Sequence, residues 1–160
     1  VFAVVASFVF YGFFKNKGSD ADLSKFASAA STITVAESSH DFGDIDIFGG
    51  KVSTTYVLKN EGTEDVIILF AVTSCMCTEG EIGGMRFGMH GQTGEKVVIQ
   101  AGEEKVLTAV FDPLAHGPDG VGRVTRELAL ATNSSKTPEI KVKFSANVVK
   151  IKPINDDAAH

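Results

Sequence analysis

The pattern of apolar and polar positions changes character along the chain. From Thr32 onward it follows a period of two, which sends successive side chains to opposite faces of a strand. Thr32-Ile33-Thr34-Val35 alternates, His40 to Ile45 follows, and Gly49-Gly50 marks a turn. Val52 to Lys59 reads as a strand, and Asn60-Glu61-Gly62 turns the chain back. The run Val66-Ile67-Ile68-Leu69-Phe70-Ala71-Val72 is continuously apolar, as expected of a strand covered on both faces. A buried helix segment is the rival reading. The run is short for a helix and turn residues flank it, which favours the strand. Glu79 to Glu95 is rich in glycine and reads as a loop. Val97 to Gln100, Lys105 to Phe111, Val124 to Ala131 and Ile140 to Val149 are further strands, with Asp112-Pro113 breaking the second of these. The pattern predicts an all-β antiparallel sandwich of seven or eight strands over residues 32–150. No helical periodicity longer than two turns appears after residue 31, and there is no internal repeat.

The two ends of the chain read differently. Residues 1–14 carry no charge, and Lys15 and Lys17 close the run. As a helix these residues reach about 21 Å, against about 30 Å for a bilayer core. Residues 1–17 are therefore expected to be part of a longer membrane anchor or an apolar assembly helix, contacting the membrane through residues 1–14 or packing with copies of themselves. Residues 18–31 are small and polar and read as a tether, in which Asp20 could cap a turn or two of helix. Residues 151–160 form an acidic tail after Pro153.

Composition narrows the function classes. The chain has 160 residues, 44% of them hydrophobic, enough for one domain with a sizeable core. The net charge is −5 and no basic stripe is present, which argues against nucleic acid. Sixteen glycines, twelve phenylalanines and no tryptophan fit a β-rich domain with many turns. Asp44, Asp112 and Asp119 lack the regular acidic spacing of a calcium loop and read as turn formers. No nucleophile-elbow motif accompanies His40, Asp41 or Ser74, so no enzyme and no small-molecule substrate are expected.

Cys75 and Cys77 are the only cysteines. On a regular strand they face the same side, about 6.6 Å apart. That spacing is at the outer edge of disulfide geometry, with Cβ atoms that do not converge, so a bridge is not expected while the strand stays regular. Two same-side thiols suit a soft metal, Cu(I) before Zn(II). The next loop offers Met85, Met89 and His90, and a second long loop offers His116; Met89, His90 and His116 are the candidates to complete a trigonal or tetrahedral set, and Met76 points to the opposite face. The competing reading is two inert or reversibly oxidised thiols, since cysteine is among the most buried residues. Arg123 and Arg126 read as ordinary rim charges.

Several phrases also carry a resemblance: His40-Asp41-Phe42-Gly43-Asp44-Ile45, Leu58-Lys59-Asn60-Glu61-Gly62, Val72-Thr73-Ser74-Cys75-Met76-Cys77-Thr78, Ala101-Gly102-Glu103, Phe111-Asp112-Pro113 and Thr132-Asn133. In that order, from Thr32 to Val149, they resemble a family of exported bacterial immunoglobulin-like domains of unassigned function. That family is distantly similar to Hydin-type and major-sperm-protein-like sandwiches. Many members carry Cys-Gly-Cys where this chain has Cys-Met-Cys. The resemblance implies an immunoglobulin-like β-sandwich, exported and attached to a membrane, in the periplasm or at the cell surface. By the positive-inside tendency Lys15 and Lys17 point the other way; the resemblance outweighs them here. The expectation is a protein-binding or structural module, including a surface filament subunit, with a copper-binding or thiol-redox role for Cys75 and Cys77 as the alternative.

Overall fold

A computed structural model describes residues 28–151. The expected anchor, most of the tether and the tail beyond Ile151 lie outside these residues. Among the described residues no helix is long and apolar enough to cross a membrane.

Among the described residues eleven strands form two facing sheets. They are β1 (Ile33–Val35), β2 (Ser39–Asp46), β3 (Val52–Asn60), β4 (Val66–Thr73), β5 (Thr78–Ile82), β6 (Met85–Gly88), β7 (Gly91–Thr93), β8 (Val97–Ile99), β9 (Glu104–Phe111), β10 (Gly122–Thr132) and β11 (Glu139–Val149). One sheet has the order β1-β3-β9-β5-β6-β7, the other β2-β11-β10-β4-β8. The core lies between them and includes Leu58, Ile68, Ile82, Met85, Leu107, Leu128, Leu130 and Phe144, all buried. The all-β sandwich expected from the pattern is present, with two corrections to its detail.

The first correction concerns Glu79 to Glu95. This stretch holds three strands, β5 to β7, which raises the count above the seven or eight expected. Gly83 and Gly84, both with positive φ, make the two-residue turn between β5 and β6. Gly80 faces Phe87 across that pair, and the Phe87 ring lies over the glycine where a side chain would otherwise stand. Glycine here is therefore part of the sheet. The second correction is that the sandwich is not purely antiparallel: β2 runs parallel to β11.

The apolar run 66–72 is strand β4, between β10 and β8. Its pairing with β10 slips at Leu69, because Phe70 faces Ala131 while Ile68 faces Thr132. Val66 and Ile68 enter the core before the slip and Ala71 after it. The bulge moves the inward face by one residue, and only a run apolar at every position tolerates that. Past the end of β8, Gln92 covers the outer edge of β4: its Oε1 accepts from Ala71 N at 2.7 Å. Ahead of β1, Ala29 and Ser31 are buried, and Ala29 N donates to Asn133 O.

Candidate functional site

The chain changes sheets at the cysteines. β4 ends at Thr73 in the five-stranded sheet and β5 begins at Thr78 in the other. Ser74-Cys75-Met76-Cys77 makes the crossing as a turn. Local hydrogen bonds fold it. Thr73 Oγ1 lies 3.0 Å from both Cys75 O and Thr78 O, and Thr78 N donates to Cys75 O at 3.1 Å. Ser74 N donates to Glu127 O, and Ser74 Oγ accepts from Glu127 N, so β10 pins the start of the turn.

This overturns the expectation of two unbridged thiols on a regular strand. The turn brings the Cys75 and Cys77 Cα atoms to 5.2 Å, and the two sulfurs are joined as a disulfide. That separation falls in the usual disulfide range. The strand geometry that kept the Cβ atoms apart ends two residues too early to apply. Met76, at the apex, is 63% exposed.

A second loop completes the site. Asp112 N donates to Cys77 O at 2.9 Å, and Asp112 Oδ1 accepts from Leu114 N. Gly117, at φ +85°, takes the left-handed conformation that closes the next turn, with its N–H on Leu114 O at 2.8 Å. These turns bring His116, which is exposed, to the cysteines: its Nε2 is 3.2 Å from Cys75 Sγ. The ligand atoms of Cys75, Cys77 and His116 all lie within 4.8 Å of one another.

Arg126 is the residue the sequence reading missed. Its Nε donates toward Cys77 Sγ at 3.1 Å and its Nη1 bonds Thr125 O. Burial lowers its guanidinium below the ordinary arginine range. It remains a cation at neutral pH, set against a sulfur that is itself buried. A signal was available: Arg126 shares strand parity with Val124, Leu128 and Leu130, which face the core.

The other candidates are placed differently. Met85 is buried in the core. Met89, half-buried, and His90, exposed, form the β6–β7 turn. The register of β5 with β6 puts that turn at the same end of the sheet as the cysteines, but His90 does not join the cluster of Cys75, Cys77 and His116. Asp44 accepts from Asn147 and Asp119 from Lys150, both at 2.8 Å. The Lys150 hydrogen bond, with its charge, holds the Asp119 carboxyl below its usual value. These aspartates tie turns and neighbouring strands together.

Five of the eight large apolar side chains exposed among the described residues gather at this pole: Phe48 (60%), Met76, Leu114 (43%), Val121 (51%) and Ile151 (58%). Asp46 Oδ1 accepts from both Phe48 N and Ile151 N, and Lys150 bonds Asp119, so three of the four contributing segments are linked. Beside Cys77 is a dent of about 50 Å³ lined by Lys51, Met76, Cys77, Asp112 and Ala115 among others. It is far smaller than the roughly 300–1,000 Å³ of a small-molecule site.

The fold and the sheet-crossing turn define the class: a two-layer, all-β, immunoglobulin-like sandwich with a Cys-x-Cys turn at one pole. Within that class the chain belongs to the family described as protein of unknown function DUF1573, which matches residues 33–148. No curated protein matches it. Among solved structures it is similar to a protein of unknown function from Porphyromonas gingivalis W83, with 14% identity and a TM-score of 0.60 over 77% of this chain and 50% of that one. The chain thus spans half the length of that structure. It is also similar to the ASH/PapD-like domain 7 of human CEP192, with 14% identity and a TM-score of 0.49 over 79% of this chain and 92% of that one. A third similar structure is the E. coli chaperone DraB, with 6% identity and a TM-score of 0.46 over 78% of this chain and 57% of that one.

Proposed function

We propose that this domain is a protein-interaction module, held at a membrane outside the cytoplasm, that docks its partner through the pole carrying Cys75 and Cys77. The observation that carries this reading is that exposed Phe48, Met76, Leu114, Val121 and Ile151 all fall on segments at the end of the sandwich that carries the disulfide. Clustered apolar side chains mark docking surfaces in a way that scattered ones do not. The compartment is supported by the disulfide, a bond that persists in oxidising environments. Attachment to the membrane is supported by the uncharged segment 1–14. Assembly of copies of the chain into a filament is the same reading with a second copy as the partner.

The test is photo-crosslinking in the living cell, with a reactive side chain placed in the full chain at Phe48, Met76 or Leu114. Control positions are Val57 and Val106, a cross-strand pair exposed on the face of the other sheet. Discrete adducts at the pole and none at the controls are expected. A ladder at multiples of the chain's own mass would identify self-assembly. No adduct at any pole position, or equal labelling at the controls, overturns the reading.

A second reading rests on a different observation, the convergence of Cys75, Cys77 and His116 within 4.8 Å. In the dithiol state these three atoms would hold a soft metal, Cu(I) before Zn(II). Titration of the reduced protein with Cu(I) tests it. A saturable thiolate band that disappears in Cys77→Ser supports the site, and no such band in the unsubstituted chain removes it.

A further inference from the structure

We propose that Cys75–Cys77 is a thiol–disulfide exchange centre that accepts two electrons from a dithiol of the docked protein, with Cys75 as the attacked sulfur and Cys77 as the leaving group. This rests on the docking reading above and names the chemistry at that pole.

Three observations carry it. The two residues differ in burial: Cys75 is partly buried at the turn, while Cys77 is 3% exposed. Attack from outside therefore falls on Cys75. Each sulfur has its own nitrogen partner, Arg126 Nε at 3.1 Å from Cys77 and His116 Nε2 at 3.2 Å from Cys75. A guanidinium gains little from a neutral disulfide sulfur and much from a thiolate. Placed at Cys77, it stabilises the charge that appears when the bond breaks. Finally, the turn is held by backbone and threonine hydrogen bonds that do not involve the S–S bond. The two sulfurs therefore stay close after reduction.

A partner thiolate attacks Cys75 Sγ along the S–S axis. The Cys75–Cys77 bond breaks, and its electron pair goes to Cys77, which leaves as a thiolate paired with Arg126. The partner's second thiolate then attacks its own sulfur in the mixed disulfide. Cys75 leaves as a thiolate facing His116, whose ring N–H can donate to it. The partner is oxidised to a disulfide, this chain is reduced to a dithiol, and the two protons lost by the partner's thiols are shared among the products and solvent. Stabilising the reduced form makes such a pair a stronger oxidant, and a leaving thiol of lower pKa departs faster.

The experiment uses the oxidised full chain in buffers of reduced and oxidised glutathione, quenched in acid and alkylated with a maleimide. Mass spectrometry then reads the fraction reduced. We expect a two-electron transition within the glutathione range. Arg126→Gln should shift its midpoint toward the disulfide by about tenfold in equilibrium constant, about 30 mV for a two-electron couple. Arg126→Lys should shift it less, and Arg123→Gln, whose guanidinium is exposed and 3.9 Å from Asp41, should leave it unchanged. Cys77→Ser should capture one glutathione on Cys75, and Cys75→Ser should capture none on Cys77. A pair that stays oxidised throughout, a midpoint moved less than twofold by Arg126→Gln, or capture on Cys77 instead of Cys75 overturns the proposal. If Arg126→Gln does not fold, Arg126→Lys and the two serine variants decide. Crosslinking at the pole reads docking whatever the redox state of the cysteines, and the glutathione midpoint reads the exchange with no partner present, so failure of the docking reading and failure of the chemistry are separately visible.

Discussion

Asn60 is the residue whose replacement tests the packing argument most sharply. It ends β3, is fully buried, and its side chain reaches three backbone groups. Nδ2 donates to Glu64 O at 2.8 Å and to Ile99 O at 2.9 Å, and Oδ1 accepts from Gly62 N at 3.0 Å. One amide thus joins β3 of one sheet, the turn into β4, and the end of β8 in the other sheet. In Asn60→Ala, Glu64 O keeps its bond from Ser31 Oγ at 2.7 Å. Ile99 O and Gly62 N lose theirs. A stranded buried group costs about 1–3 kcal/mol. Gly62 is half-buried and can recover part of its loss from water, so the total is about 2–4 kcal/mol. Asn60→Asp behaves differently with pH. A carboxylate there would face two carbonyl oxygens in a dry site, so the folded state favours the protonated acid and its pKa rises. The added stability of that protonated form is present below the unfolded value of about 3.9, and declines as pH climbs above it. Urea unfolding followed by circular dichroism, from pH 3.5 to 7, reads both variants. Asn60→Ala within about 0.5 kcal/mol of the unsubstituted protein, with Asn60→Asp showing no added pH dependence, would refute the account.

Gly80→Ala places a methyl group where the buried Phe87 ring lies. We expect a loss of about 1–3 kcal/mol from overpacking, with amide exchange in β6 and β7 rising before that in β10 and β11. Tyr56 is buried, donates to Lys143 O at 2.7 Å, and burial pushes its pKa up to about 12. Tyr56→Phe should cost about 1 kcal/mol. The unsubstituted protein should keep the phenol's contribution below about pH 10 and lose it as pH rises from 10 toward 12, a loss absent from the variant in alkaline unfolding curves. The double variant Cys75→Ser/Cys77→Ser should unfold cooperatively within about 2 kcal/mol of the oxidised protein; a denatured or molten variant would show that the bond is needed for folding.

Much of the sandwich was legible because inward positions recur at period two. Ile33, Tyr56 and Leu58, then Leu107, Ala109 and Phe111, alternate in the sequence and in the core. The continuous run at β4 was legible as a doubly covered strand, while its bulge at Leu69 was hidden by the very continuity that permits it. The parallel pairing of β2 with β11 joins segments a hundred residues apart and leaves no local mark. The β5–β7 stretch reads as a loop because its glycines are frequent, although Ile82-Gly83-Gly84-Met85 carries a two-residue hairpin signature. At the site, residue types were legible and geometry was not. His116 was a candidate from its loop. Arg126 reads as a rim charge by type although its parity places it with core residues, and a strand continued through the cysteines hides the turn that Thr73 and Thr78 fold.

The small loop closed by Cys75 and Cys77 separates chemistry from stability. In the chain-entropy treatment the stabilisation by a disulfide grows with the length of the loop it closes, and for a three-residue loop it is about 1.6 kcal/mol. That is a minor part of the roughly 5–15 kcal/mol of a typical domain. The bond links two residues already brought together by the Thr73 hydroxyl and the Thr78 amide, and it joins no distant strands. A cross-link serving the fold would be better placed between the sheets or across a long loop. Here it sits where the chain passes from one sheet to the other, with the Arg126 guanidinium against the Cys77 sulfur, the His116 imidazole beside the Cys75 sulfur, and exposed apolar side chains on the segments at the same end of the sandwich. Breaking it costs the sandwich little while changing the charge and donor capacity of the pole, and a reversible thiol couple needs both properties in the same place.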